Sequence, residues 1–133
     1  MKLLLDTHVW IWAFEGAEAL GPKAALRITT AGAERFVSPI STLEIARLVW
    51  GQDMRLTCPT RDWIAQSTTD LRLDTLPVTH AVSLEAYQLP GEFHRDPADR
   101  ILVATARVHG CHLLTADERI LAYPHVETIN ARH

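Results

Sequence analysis

Short apolar runs alternate with helix-like patterns along the whole chain. Residues 3–5 are three consecutive leucines without polar alternation, a pattern typical of a short parallel strand covered on both faces. Residues 111–115 repeat this pattern, and residues 35–39, 71–78 and 126–129 are shorter or weaker strand-like stretches. Helical spacing of apolar residues, with turn and cap residues at the ends, predicts helices at residues 7–14, 22–32, 41–50, 61–70, 80–89, 97–109 and 117–123.

This order of strands and helices predicts an α/β fold with a central, mostly parallel sheet flanked by helices. The chain has 133 residues, 47% hydrophobic and 22% charged, and shows no repeat or convincing linker. We therefore expect a single domain over residues 1–133.

The net charge and the cysteine content of the chain restrict the classes of function that we expect. The net charge of −3 does not fit a protein that grips nucleic acid mainly by neutralising phosphates, so a nucleic-acid substrate would need local arginines and a metal ion. Cys58 and Cys111 are far apart and lack metal-binding spacing, which favours a reducing cytoplasm. We find neither a secretory leader nor an apolar run of spanning length, so we expect no membrane association.

Acidic residues follow both of the most apolar strands. Asp6 comes directly after residues 3–5, and Asp117 lies two residues after residues 111–115. In open α/β sheets, ligands bind at the carboxyl ends of the strands. Either aspartate can instead be an ordinary helix cap, which accepts a backbone N–H from the first helical turn.

Three further acids lie at predicted helix starts. Ser41 and Glu44 have capping-box spacing, so Glu44 has a structural explanation of its own. Asp96 precedes Pro97, as an N-cap would, and Asp99 follows three residues later. Carboxylates crowded at one sheet edge repel each other, and a divalent cation relieves that repulsion. All-oxygen ligation favours Mg²⁺ or Mn²⁺ over zinc.

Four segments in this order resemble the PIN domain: KLLLDTH, the Ser-x-x-Glu helix start near residue 44, HRDPADRILVATA and LLTADERI. They are most similar to the toxin subunit of VapBC-type toxin–antitoxin pairs. The resemblance implies a PIN-like three-layer fold and a Mg²⁺- or Mn²⁺-dependent endoribonuclease acting on RNA. It also implies a homodimer, silenced by a cognate antitoxin protein.

Carried over position by position, the resemblance makes Asp6, Glu44, Asp99 and Asp117 the catalytic, metal-binding quartet. Asp96 matches a further acid of the HRDP-type branch, and whether it binds metal or only caps the helix stays open. Predicted substrate contacts are Arg100, Thr7 and Thr115. The threonines can equally orient the carboxylates or be ordinary capping hydroxyls, and Arg100 can instead form a structural ion pair.

Other residues are weaker candidates. Arg47, Arg95 and Arg119 can contact substrate, and His8 and His94 lie near the proposed site without metal-pair spacing. The four tryptophans, Trp10, Trp12, Trp50 and Trp63, can stack on RNA bases, although their apolar neighbours favour core or dimer-interface positions.

Alternative functions also stay open. One is a non-catalytic Mg²⁺-binding interaction module, and another is a DNA-directed nuclease, which would usually be longer. A third is an aspartyl-phosphate phosphotransferase, since Asp6 follows an apolar strand. That chemistry usually has a second aspartate where this chain has His8, and a positioned lysine, whereas Lys2 and Lys23 are the only lysines here.

Overall fold

Five strands form one sheet in the order β3-β2-β1-β4-β5, and every neighbouring pair is parallel. The structure is a computed structural model that describes residues 1–133. Its strands are β1 (Lys2–Leu5), β2 (Glu34–Val37), β3 (Asp74–Thr75), β4 (His112–Thr115) and β5 (Thr128–Asn130). The predicted parallel sheet is confirmed. Because the chain adds β2 and β3 on one side of β1 and β4 and β5 on the other, the strand order reverses beside β1, where α/β proteins form their ligand crevice.

Seven helices cover both faces of this sheet. They are α1 (Thr7–Glu15), α2 (Pro22–Thr29), α3 (Pro39–Trp50), α4 (Thr60–Asp70), α5 (His80–Glu85), α6 (Pro97–His109) and α7 (Glu118–Leu121). None of them combines the length and the apolar character that a membrane-spanning helix requires.

The three leucines of β1 connect two separate cores. All three are fully buried. Leu3 and Leu5 pack in a cluster with residues of α1, α2 and α4, whereas Leu4 packs in a second cluster with residues of α6. Side chains alternate between the faces of a strand, so this split places helices on both sides of the sheet. The three-layer arrangement is thereby confirmed.

Helix α3 begins earlier than the sequence pattern indicates. Ser38 is the N-cap, and its hydroxyl accepts a hydrogen bond from the Ile40 N–H at 3.1 Å, while Pro39 occupies the first helical turn. Ser41 lies inside the helix, and its N–H donates to the Ser38 carbonyl at 3.0 Å. The predicted capping box between Ser41 and Glu44 is therefore wrong.

Two edge strands differ from their predicted extents. Only Asp74–Thr75 of residues 71–78 forms a strand. Arg72 adopts a φ of +54°, and the Leu73 N–H donates to the Thr68 carbonyl, so these residues end α4 rather than extend the sheet. Strand β5 covers Thr128–Asn130 rather than residues 126–129.

Candidate active site

A cleft of about 400 Å³ opens at the carboxyl edge of the sheet, where the segments after β1, β4 and β5 meet the start of α6 and the first half of α3. Five of its lining residues are the acids that the sequence singled out: Asp6, Glu44, Asp96, Asp99 and Asp117. They come from sites up to 111 positions apart (117 − 6) in the chain. The structure therefore brings all five carboxylates to one place.

Asp6 is both a helix cap and a cleft residue. Its Oδ1 accepts the Thr7 N–H at 2.6 Å at the start of α1, and its Oδ2 accepts the Thr115 hydroxyl at 2.6 Å. Burial raises the pKa of Asp6, and the hydrogen bond from Thr115 only partly offsets this effect. The two proposed roles are compatible, because each oxygen accepts one hydrogen bond and keeps a second lone pair for a ligand in the cleft.

Glu44 is oriented from a neighbouring element rather than by its own helix. The Thr7 hydroxyl donates to Glu44 Oε1 at 2.6 Å and also lies 2.8 Å from Ser41 Oγ. Burial is the main reason that the pKa of Glu44 is raised, with the charges of Asp6 and Asp96 adding to it. Thr7 therefore couples the end of β1 to α3.

Ionisation of Asp99 is unfavourable in the cleft. It is only 7% exposed, and burial raises its pKa to about 7, helped by the negative charges of Asp96, Asp6, Asp117 and Glu44. Asp96 caps α6 by accepting the Ala98 N–H at 3.1 Å, so it too combines a cap with a place in the cleft. Crowded negative charge of this kind is what a bound cation would relieve.

Asp117 is the acid with the most favourable local partners. It caps α7 through the Arg119 N–H at 2.8 Å, and Arg119 Nη2 lies 3.4 Å from Asp117 Oδ2 and 3.6 Å from Asp99 Oδ2. Burial raises the pKa of Asp117, but the hydrogen bonds and charge of Arg119 outweigh burial, and the pKa is lowered. Arg119 thus neutralises part of the acidic cleft.

His94 lies beside Asp99 as a neutral imidazole. Burial and the positive charge of Arg119 lower the pKa of His94. Its Nδ1 accepts the Asp96 N–H at 3.3 Å, and its Nε2 lies 3.1 Å from Asp99 Oδ2 without the alignment of a hydrogen bond. The contact is therefore not a charge pair at neutral pH.

Two of the three predicted substrate contacts are not open to the cleft. Arg100 donates to the backbone carbonyls of Ala86, Phe93 and His94, each at 2.9 Å, and does not line the cleft. Thr115 is fully buried beneath Asp6. Thr7 does line the cleft, but its hydroxyl is taken up by Glu44.

Arg132 also lines the cleft, and the sequence interpretation missed it. It follows β5 by two positions, as Asp117 follows β4. The rule that singled out acids after strands would have found this arginine if it had been applied to basic residues and to the last strand. His8 and Trp12, which the sequence pattern marks only as weaker candidates, line the cleft as well.

The cleft suits a hard divalent cation with few protein ligands. Carboxylate oxygens and water are ligands that Mg²⁺ and Mn²⁺ prefer. No three His, Cys, Asp or Glu side chains converge on one point with metal-binding geometry. Such an ion would therefore bind to one or two carboxylates and keep several waters, which is the usual mode for Mg²⁺.

Comparison with known proteins defines the class of the chain. The PIN-domain profile matches residues 3–126, so the chain belongs to the PIN-domain family. Its sequence is 36% identical over 123 residues to Ribonuclease VapC22 of Mycobacterium tuberculosis, an overlap that covers 92% of each protein.

Solved structures share the fold over the whole chain. The crystal structure of VapBC2 from Rickettsia felis, bound to a DNA fragment from their promoter, contains a chain that matches with a TM-score of 0.71 at 15% identity over 98% of both chains. VapBC-1 from nontypeable Haemophilus influenzae matches with a TM-score of 0.68 at 16% identity over 100% of both. At these identities the likeness concerns the fold.

Proposed function

We propose that the chain is a Mg²⁺- or Mn²⁺-dependent endoribonuclease that hydrolyses RNA phosphodiester bonds. The observation that carries this proposal is the convergence of five carboxylates on one cleft at the carboxyl edge of the sheet. The choice of RNA is supported by the 36% identity to a protein named as a ribonuclease.

In this proposal Asp6, Glu44, Asp99 and Asp117 are the catalytic residues. One or two of them would bind the metal directly and the others through metal-bound waters, with Asp96 as a further candidate ligand. When bound, a divalent ion supplies an activated water and offsets negative charge on the phosphate. Thr115 holds the Asp6 carboxylate, and Thr7 holds that of Glu44. We infer that both threonines act by orienting carboxylates rather than by contacting RNA, because their hydroxyl protons are already donated.

Arg100 has a different task in this proposal. Its guanidinium holds the carbonyls of residues 86, 93 and 94 and packs 5.0 Å from the Tyr87 ring centre. We assign it to fixing the segment that brings His94 against Asp99. No lysine lines the cleft, so no observation favours an aspartyl-phosphate phosphotransferase.

We further propose that the chain is the toxin of a type II toxin–antitoxin pair, acting in the cytoplasm as a homodimer. Support comes from the similarity to a VapC protein and from the fold shared with chains of VapBC complexes. Helix α3 also exposes 63% of Leu43 and 86% of Trp50, an apolar surface of the kind that protein partners cover. An antitoxin would cover such a surface and direct a basic side chain at the acids.

The nuclease proposal is tested by incubating the protein with single-stranded RNA and Mg²⁺ or Mn²⁺, with and without EDTA. Cleavage should require the metal and fall more than about a hundredfold in Asp6→Asn. Asp70→Asn is the matched control, because Asp70 is exposed at the end of α4 and outside the cleft. Cleavage in EDTA, or full activity of Asp6→Asn, would contradict the mechanism. Tight metal binding without cleavage of RNA or DNA would favour the interaction module.

The partner proposal needs a separate experiment. Co-expression with the protein encoded by a neighbouring reading frame should give a stable complex without ribonuclease activity. Light scattering of the isolated chain should give the mass of a dimer. A monomer that forms no complex would contradict this part while leaving the nuclease proposal intact.

A further inference from the structure

The lining of the cleft that is not acidic includes two aromatic rings and a free arginine: His8, Trp12 and Arg132. We refer to these three residues as the aromatic wall. His8 and Trp12 are one helical turn apart at the start of α1, with ring centres 6.3 Å apart. Trp12 is half-buried and packs against the core cluster that contains Leu5 and Ala131. Its indole is thus held in place while part of it faces the cleft.

Arg132 differs from the other cleft arginine in having no partner. Arg119 lies within 3.6 Å of two carboxylates. The guanidinium of Arg132 makes neither an ion pair nor a hydrogen bond, and the side chain is exposed. It is therefore a cation available to a ligand.

The backbone around Arg132 is nevertheless firmly placed. The Ala131 N–H donates to the Thr115 carbonyl at 2.8 Å, and the Gly21 N–H donates to the Ala131 carbonyl at 2.8 Å. A Cβ at Gly21 would lie 2.2 Å from the His133 carbonyl carbon, so only glycine permits this close approach. The start of α2 thus fixes the segment that presents Arg132 to the cleft.

We propose that the aromatic wall binds one nucleotide of single-stranded RNA, with the base stacked on Trp12 and the phosphate on Arg132. This inference rests on the proposed ribonuclease function and specifies its substrate. A flat indole beside an arginine is the combination that single-stranded nucleic acids use, since stacking needs an unpaired base and guanidinium groups pair with phosphate. In a cleft with five carboxylates, an unpaired arginine also offsets the repulsion between the acids and the RNA backbone.

The test measures binding of a short single-stranded oligoribonucleotide to proteins that all also carry Asp6→Asn, so that the RNA is not cleaved during the measurement. With Mg²⁺ present, Trp12→Ala and Arg132→Gln should each weaken binding by about tenfold or more. Trp12→Phe should restore most of the affinity, because a phenyl ring still stacks. Arg132→Gln should also lower the slope of log affinity against log salt by about 0.7. The matched controls are Trp50→Ala and Arg55→Gln, both exposed residues outside the cleft.

Steady-state cleavage separates this inference from the proposed function. If the wild-type protein cuts RNA, both wall variants should raise KM with kcat nearly unchanged. Unchanged RNA binding and unchanged KM in both variants would overturn the proposed role of the aromatic wall and would leave the nuclease proposal intact. If the wild-type protein cuts no RNA but the wall variants still bind RNA more weakly than the controls, the proposed binding role of the aromatic wall is supported and the nuclease proposal fails. Equal affinity for the same sequence as a duplex would also overturn the wall.

Discussion

Two threonine hydroxyls determine how two of the cleft carboxylates point. Thr115 lies at the end of β4 and donates to Asp6, and Thr7 lies at the start of α1 and donates to Glu44. Both threonines are buried. Because a hydroxyl has one proton, each fixes one carboxylate oxygen. The other oxygen of Asp6 accepts the Thr7 N–H, and each carboxylate oxygen has a second lone pair that a ligand can use.

Replacing Thr115 by valine keeps the side-chain shape and removes two hydrogen bonds: the one that its hydroxyl donates to Asp6 and the one that it accepts from the Asp117 N–H at 3.0 Å. We expect cleavage to fall by about 10- to 100-fold, as for other partners of metal-binding groups. The Thr115 hydroxyl lowers the pKa of Asp6, so its loss should also move the acidic limb of the pH–rate profile to higher pH. Thr105→Val is the control, because that buried hydroxyl bonds only to the Ile101 carbonyl of its own helix. Equal activity loss in both variants would indicate a packing effect.

Asp99 should destabilise the metal-free protein at neutral and higher pH. Its pKa is about 7 in the folded chain against an ordinary value of 3.8, so the folded state binds this proton more tightly than the unfolded state. The group therefore favours folding at low pH, and its contribution to the free energy of unfolding declines as the pH rises from about 4 to about 7.

The variant Asp99→Asn removes this unfavourable ionisation together with a carboxylate that we propose to be catalytic. In EDTA at about pH 8 we expect the variant to be more stable than wild type by about 2 kcal/mol, which is roughly half of the full shift because water at the cleft mouth screens the charges. The gain should shrink at about pH 5. Urea unfolding at both pH values measures it, with Asp70→Asn as the control. A loss of stability at both pH values would contradict the destabilisation that we assign to ionised Asp99. Cleavage should be abolished in either case.

Strands and helices with a strong local sequence pattern could be predicted, whereas those whose extent depends on contacts with other segments could not. Strands β1 and β4 are short apolar runs typical of a covered parallel strand. Helix α6 has Asp96 as its N-cap, Pro97 as its first residue and Gly110 at its end. In residues 71–78 the alternating pattern is genuine, but the backbone of Arg72 and Leu73 closes α4 instead of joining the sheet. The periodicity of the sequence does not show whether tertiary contacts end a helix or extend a strand at such residues.

The two serines at the start of α3 have separable roles. Ser38→Ala removes the N-cap and should lower the free energy of unfolding by about 1 kcal/mol with little change in cleavage. Ser41→Ala removes the hydroxyl that lies 2.8 Å from Thr7 Oγ1, so it should lower cleavage more than stability. Thermal unfolding and initial cleavage rates measure the two effects. The opposite pattern would mean that Ser41, not Ser38, starts the helix.

At the scale of the whole molecule, parallel strand order assembles the cleft from distant parts of the chain. Residues after β1, β4 and β5 meet because all three strands point to the same edge. That rule was enough to predict from sequence that Asp6 and Asp117 would be neighbours. It did not predict which acids are unfavourable to ionise or that Arg119 pairs with two of the acids. These properties depend on burial and on side-chain distances.

The same assembly predicts that metal binding and folding are linked. Mg²⁺ or Mn²⁺ should raise the melting temperature, because an ion at about 100 times its Kd contributes about 2.7 kcal/mol, which corresponds to several degrees for a chain of this size. Protons compete with the ion for Asp6, Glu44 and Asp99, whose pKa values are all raised, so the increase should be larger at about pH 8 than at about pH 5. Differential scanning fluorimetry at matched ionic strength measures it. The increase should vanish in Asp6→Asn and persist in Asp70→Asn, and an increase independent of pH and of Asp6 would place the ion outside the cleft.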